Sequence, residues 1–181
     1  EDRVNQMQVD IDRELSWVIA RRQPTARDLR LLMAISKTTA NLERVGDEAR
    51  RIARMVLSII GKGGAARTLP AHELRVAAGL ASAQLRKGLD AFARLDTTAA
   101  VATMKGDDLL DREFDGFVRK LITYMMEDPR TISSSLDLLF VAKAIERIGD
   151  HATNIAEFII YVVKGADVRH SPIEHIESAI R

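Results

Sequence analysis

IERIGDHATNIA, Ile145 to Ala156, repeats the pattern of LERVGDEARRIA, Leu42 to Ala53, at a distance of 103 residues. A self-match of this kind marks one structural unit used twice. The spacing inside the later copy is helical: Leu138, Ala142, Ile145, Gly149, Ala152, Ala156, Ile159 and Val163 recur at alternating intervals of four and three, a continuous seam for packing one helix along others. Working outward, Pro24 and Pro129 match as the turns leading into the two copies, and Glu1 to Asn5 aligns with Asp107 to Asp111 at an offset of 106 residues. Each half therefore ends in a hairpin of long helices.

Helix-stopping residues stand at Pro24, Gly61-Lys62-Gly63-Gly64, Pro70, Asp96-Thr97, Asp128-Pro129 and Gly165. They predict helices over about 1–22, 26–60, 71–95, 98–127 and 133–164, with boundaries good to a few residues. The tail from 166 onward carries no strong pattern. The expected organisation is all-α: a first repeat over 1–64, a second over 65–165 and a tail over 166–181. The second repeat has a helix, about 71–95, ahead of its hairpin, and nothing before Glu1 corresponds to it. The expectation is thus two tandem pseudo-symmetric three-helix bundles, the first lacking its N-terminal helix in a chain truncated at its start. Such a bundle would leave an apolar groove open to water, which self-association would cover.

Composition agrees with helices. The 181 residues are 46% hydrophobic and only 4% aromatic, with four prolines, enough apolar material for a core and little of the β-branched and aromatic surplus of sandwiches. Lys and Arg number 27 against 26 Asp and Glu, a net charge of +1, so no general affinity for nucleic acid is expected. Absence of cysteine removes disulfides, thiolate metal sites and thiol nucleophiles, and fits a reducing compartment. The longest apolar stretches, Met55 to Ile60 and Phe158 to Val163, fall far short of the roughly 20 residues of a bilayer span. Residues 1 to 20 lack the layout of a secretory signal, so a cytoplasmic location is expected.

The repeated motifs are acidic. Glu43 and Asp47, like Glu146 and Asp150, stand four apart and so project from one helix face about 6 Å apart along the axis. Like charges so placed cost a few tenths of a kcal/mol and need a cation or an arginine to offset them. The preceding helix of each hairpin supplies a second set at the same spacing, Asp107 and Asp111 in the second half, Glu1 and Asn5 in the first. Antiparallel pairing brings four oxygen-bearing side chains together, which suits hard cations such as Mg²⁺, Mn²⁺, Ca²⁺ or iron rather than a closed zinc site. Gly46 and Gly149 sit inside these helices at matching positions, each at about 1 kcal/mol against alanine, which points to close backbone approach. The competing account is salt bridging of the acids to Arg44, Arg147 or Lys143.

Other features carry less. A carboxylate-bridged di-metal oxidase needs Glu-x-x-His on two helices, and no Glu has His three residues later; a metal-storage bundle is the remaining alternative. His72, His151, His170 and His175 are scattered and read as surface or capping residues. Lys62 is followed by Gly63 rather than Ser or Thr, so Gly61 to Gly64 is no phosphate loop. Arg50, Arg51 and Arg54 read as a solvated face. Trp17, Phe114, Phe117, Tyr124, Phe140, Phe158 and Tyr161 lie among apolar neighbours and read mostly as core.

LERVGDEA and IERIGDHATNIA closely resemble the two signature stretches of the PhoU family, and RRQPTARDLRLLMAISKT resembles its first hairpin turn. DAFARLD at Asp90 to Asp96, FVRKLITYMMEDPRTI at Phe117 to Ile132 and IYVVKGADVRH at Ile160 to His170 extend the likeness over essentially the whole chain. The resemblance implies paired three-helix bundles, no enzyme activity, frequent homodimerisation, and metal clusters of Mg, Mn, Fe, Ca or Zn ions. Carried over residue by residue, the ligands are Glu43, Asp47, Glu146 and Asp150, with Asp107 and Asp111 from the neighbouring helix. Glu1 and Asn5 match less well, and Asn154, four residues after a motif Asp, has Arg51 as its counterpart in the first repeat. The resemblance further implies negative regulation of the phosphate-starvation (Pho) regulon and of phosphate uptake. In that role the protein links the ATPase subunit of the phosphate-specific ABC transporter to a sensor histidine kinase, touching the membrane complexes only peripherally.

Overall fold

The apolar seam around Ile145 becomes α6, Ile132–Lys164, in which Leu138, Val141, Ala142, Ile145, Ala152, Ile155, Ala156, Ile159, Ile160 and Val162 are buried. Its ends follow from local chemistry. Asp128 accepts the Arg130 N–H at 3.0 Å and starts a 3-10 turn at Pro129–Thr131 that leads into the helix, and Gly165 closes it at φ 75°, the left-handed conformation that glycine adopts without strain. The computed structural model of the chain describes residues 2–62, 70–169 and 171–180. Before α6 come α1 (Asp2–Arg22), α2 (Ala26–Lys62), α3 (Ala71–Arg94), α4 (Thr97–Lys105) and α5 (Asp107–Glu127), and after it α7 (Ile173–Ile180). Among the described residues there is no strand, and no helix is long and apolar enough to cross a membrane.

Helix α2 runs antiparallel along α6. Arg30 reaches the Val162 carbonyl, Asn41 meets His151 and Asn154, Glu48 meets Arg147, and Ser58 meets Asp137. Helix α1 folds back on α2, where Ser36 donates to Asp12 at 2.9 Å and Val4 lies against Gly46. In the second half α3 and α5 cover α6, burying Leu74, Ala77, Ala81, Leu110, Phe117 and Leu121 against Leu138, Val141, Ala142 and Ile145. Each large aliphatic side chain buried this way contributes about 1.5–3 kcal/mol, so this layer holds the hairpin that carries the second acidic motif.

Three expectations are corrected. The helix expected over 98–127 is two helices broken at Gly106, whose N–H caps the Thr103 carbonyl at 3.1 Å, while Asp107 and Asp108 open the next helix with the negative charge that its N-terminus favours. The tail is not patternless: Val168 and Ile176 are buried against Ala100, Val101, Ile159 and Ile160, and Glu177 pairs with Lys105 of α4 at 2.6 Å. Trp17, half exposed, and Phe140, 54% exposed, stand outside the core; Trp17 instead stacks under Arg21 at 4.8 Å. In the first hairpin, Leu15 is the buried residue of α1, and Met7, Val9, Leu57 and Ile60 are more than half exposed. Gly61 and Lys62 belong to α2; Gly63 and Gly64 lie outside the described residues.

Candidate functional site

In the second half the antiparallel pairing of α5 and α6 brings Asp107, Asp111, Glu146 and Asp150 within one another's fields. Burial and the charges of Glu146 and Asp107, with a smaller push from Asp111, move the Asp150 carboxyl up to about 6, against a lowering influence from Lys143. Burial, Asp107 and Glu146 likewise raise Asp111. Two side chains tie the cluster to the fold. Lys143 donates to one oxygen of Glu146 at 2.6 Å, while the other oxygen of Glu146 is buried without a hydrogen bond. The Gln84 amide nitrogen, buried on α3, lies 3.1 Å from Asp107, 3.2 Å from the Thr153 hydroxyl and 3.3 Å from the Thr103 carbonyl.

Gly149 is where the backbone comes close. A Cβ there would collide with Leu110 and sit 3.2 Å from the Gln84 oxygen and 3.3 Å from Asp107, so the glycine lets α5 approach with its acids. The matching Gly46 does not serve this purpose, because its nearest neighbour would be Val4 at an ordinary 4.0 Å. The first hairpin carries the looser version of the same contact: Val4 stands in the register of Leu110.

The first-half acids match their counterparts in exposure: Glu43, like Glu146, is half-buried, and Asp47, like Asp150, reaches solvent. The side-chain oxygen of Asn5 is buried without a partner. Glu1 lies outside the described residues. Asn154 is not turned to the acids; it donates to Asn41 across the α2–α6 interface at 3.2 Å. Among the described residues no three His, Asp or Glu side chains are arranged to hold one ion as they stand. The donor chemistry nevertheless suits an oxygen-preferring cation: four carboxylates share one field that Lys143 only partly offsets, and one buried oxygen has no donor.

Behind the acids, α2 and α6 enclose a polar network that the sequence reading missed. Glu48, 3% exposed, pairs with Arg147 at 2.8 Å and Arg51 at 3.2 Å. His151, expected at the surface, is buried and lies 2.9 Å from the Asn41 side-chain oxygen. That oxygen also accepts from Asn154, so His151 Nδ1 carries the hydrogen and Nε2 is left buried without a partner. Burial, then Arg147 and Arg44, hold the imidazole down to about 4. One signal was available: Glu48 and His151 occupy equivalent places in the repeat, so two polar residues face each other's helices across a pseudo-twofold axis.

Two helix hairpins related by an internal repeat, joined through their long second helices and carrying duplicated acids, define a repeated helical-bundle protein. The profile described as the PhoU domain matches residues 1–56 and 74–159, and the chain belongs to the PhoU family. It is 50% identical to a phosphate-specific transport system accessory protein PhoU homolog of a Burkholderia species, over 99% of this chain and 77% of that protein. It is 48% identical to the phosphate-specific transport system accessory protein PhoU of Escherichia coli (strain K12), over 92% of this chain and 68% of that protein. Among solved structures, PhoU from Pseudomonas aeruginosa superposes with a TM-score of 0.86 at 44% identity, covering 91% of this chain and 78% of that one. The phosphate transport system regulatory protein PhoU from Streptococcus pneumoniae gives 0.82 at 26% identity, over 92% and 77%.

Proposed function

We propose that this chain is a non-catalytic regulator of phosphate-specific transport, which restrains phosphate uptake and the Pho regulon by linking the transporter's ATPase subunit to a sensor histidine kinase. The observation that carries this reading is the match, at 50% identity over 99% of the chain, to a protein named as an accessory of the phosphate-specific transport system. In this reading the protein works in the cytoplasm as a homodimer and meets its membrane complexes only from the side. The acid cluster Asp107, Asp111, Glu146 and Asp150 holds an oxygen-ligated divalent or trivalent ion once those side chains turn toward one another. Glu43 and Asp47, with Glu1 and Asn5, form the weaker counterpart, because one carboxylate there is replaced by an amide.

The test has two arms. Co-purification with the ATPase subunit and the kinase from cells grown in high phosphate should recover both, and a strain lacking the protein should express a phosphate-starvation reporter constitutively until this chain is supplied. Recovery of neither partner, together with unchanged reporter output, rejects the adaptor reading. Elemental analysis of protein purified without chelator addresses the ion separately, and equal metal content in the parent chain and in Glu146→Ala/Asp150→Ala would remove it.

A further inference from the structure

Between α2, α6 and the segment after α6 lies a cleft of about 320 Å³ lined by Lys37, Arg44, Asn154, Glu157, Phe158 and Arg169. Lys37, Asn41 and Arg44 follow one another at intervals of four and three residues and so share one face of α2. Phe158 is buried, and the Lys37 ammonium lies 5.7 Å from its ring and 5.8 Å from that of Tyr161, which steadies a flexible side chain against the wall. Asn41 and Asn154 are engaged with each other. The charged groups that line the cleft are three cations and one carboxylate, Glu157; Arg169 donates through Nε and Nη2 to Asp167, so Lys37 and Arg44 are the principal cations for a guest. Asp167, which pairs with Arg169, borders a smaller adjoining space.

Three donors of positive charge around a small cleft select an oxyanion, since hydrogen bonds from charged donors to anionic oxygens are about twice as strong as neutral ones. The carboxylate among them selects further. Orthophosphate at neutral pH still carries a proton and can donate to a carboxylate, whereas sulfate carries none and a phosphate monoester is mostly without one. We propose that this cleft binds free orthophosphate, with Lys37, Arg44 and Arg169 on its oxygens and Glu157 accepting a hydrogen bond from its hydroxyl. This deepens the reading of the chain as a regulator of phosphate transport and rests on that reading for its biological meaning. The repeat does not recreate the site at the matching place: the counterparts of Lys37, Arg44, Asn154 and Glu157 are Phe140, Arg147, Arg51 and Arg54, which include no carboxylate and put an aromatic ring in place of the lysine.

Isothermal titration of the whole chain in chloride buffer at neutral pH, with orthophosphate, sulfate and phenyl phosphate as probes, tests it. Saturable binding of one orthophosphate is expected, with both other anions markedly weaker. Arg44→Gln should weaken orthophosphate about tenfold, the loss of one charge-assisted contact, and Glu157→Gln should bring sulfate level with phosphate. Circular dichroism checks that both variants remain helical. Absence of saturable orthophosphate binding, equal binding of sulfate by the parent chain, or an unchanged affinity in folded Arg44→Gln each overturns the proposal. A chain that fails to bind phosphate yet still recovers the transporter ends this inference alone; one that binds phosphate but recovers neither partner ends the adaptor reading alone.

Discussion

A methyl group at Gly149 would collide with a terminal methyl of Leu110, a side chain 1% exposed, so the packing around it must shift to admit one. Gly149→Ala should therefore destabilise the fold by up to about 2 kcal/mol, overpacking of about 1–3 kcal/mol being set against the roughly 1 kcal/mol that alanine gains in a helix. Gly46→Ala has open space around Val4 and should stabilise by up to about 1 kcal/mol; urea midpoints of the two variants measure both. At His151 the prediction concerns acid. The imidazole is held near 4 in the fold against about 6.5 in the unfolded chain, so between these values the unfolded state binds the extra proton and stability falls as pH falls. The loss amounts to about 3 kcal/mol at most. Asp150, raised to about 6 by burial and then by its acidic neighbours, acts oppositely: the cost of its charge is fully present above that pH and is relieved on acidification. Comparing thermal midpoints of the parent and His151→Gln from about pH 7 down to about pH 4.5 isolates the histidine, and the variant should lose less.

At the scale of helices, the α2–α6 contact distributes its costs unequally. Glu48 is buried at 4% side-chain exposure, while Arg147 is 40% and Arg51 50% exposed. Removing the acid leaves two arginines that water can reach, whereas removing Arg147 leaves a buried carboxylate with a single partner. Arg147→Ala should accordingly cost about 3 kcal/mol and Glu48→Gln only about 1 kcal/mol in denaturant unfolding; the reverse order would mean that Arg51 alone carries Glu48. This interface was the least legible part of the chain, because a lone Glu or His within a helical pattern reads as solvated when its partner stands about a hundred residues away. The long helices were legible from Pro24, Pro129 and Gly165, each of which breaks or bends the backbone by its own chemistry. The break at Gly106 was not, since apolar spacing continues through it, and α7 was not, since its Ile176 acquires meaning only against the surface of α4. The acids of the motifs were legible through repetition. Gln84, which lies outside the two self-matching motifs, was not.

Over the whole molecule, the repeat places two acid sets on opposite halves, but the halves differ in what charge they must tolerate. The second gathers four carboxylates with Lys143 as their near cation, and the raised Asp150 and Asp111 register burial first and then a repulsion that Lys143 only partly offsets. The first substitutes Asn5 for one of its acids. A hard divalent ion that binds the folded chain should therefore stabilise chiefly through the second half. At a hundredfold excess over its dissociation constant the gain is about 2.7 kcal/mol, or about 5–10 °C in thermal midpoint for a domain of this size. The neutralising variant Asp150→Asn separates this from ordinary surface acidity. In chelator it should melt above the parent, since a repelling charge is gone, and it should lose most of the increment that Mn²⁺ or Mg²⁺ gives the parent. Asp47→Asn should change neither midpoint by more than about 1 °C. A parent chain whose melting is indifferent to both ions would show that the repulsion is met by rotamer and solvent alone, and that the duplicated acids do not hold metal.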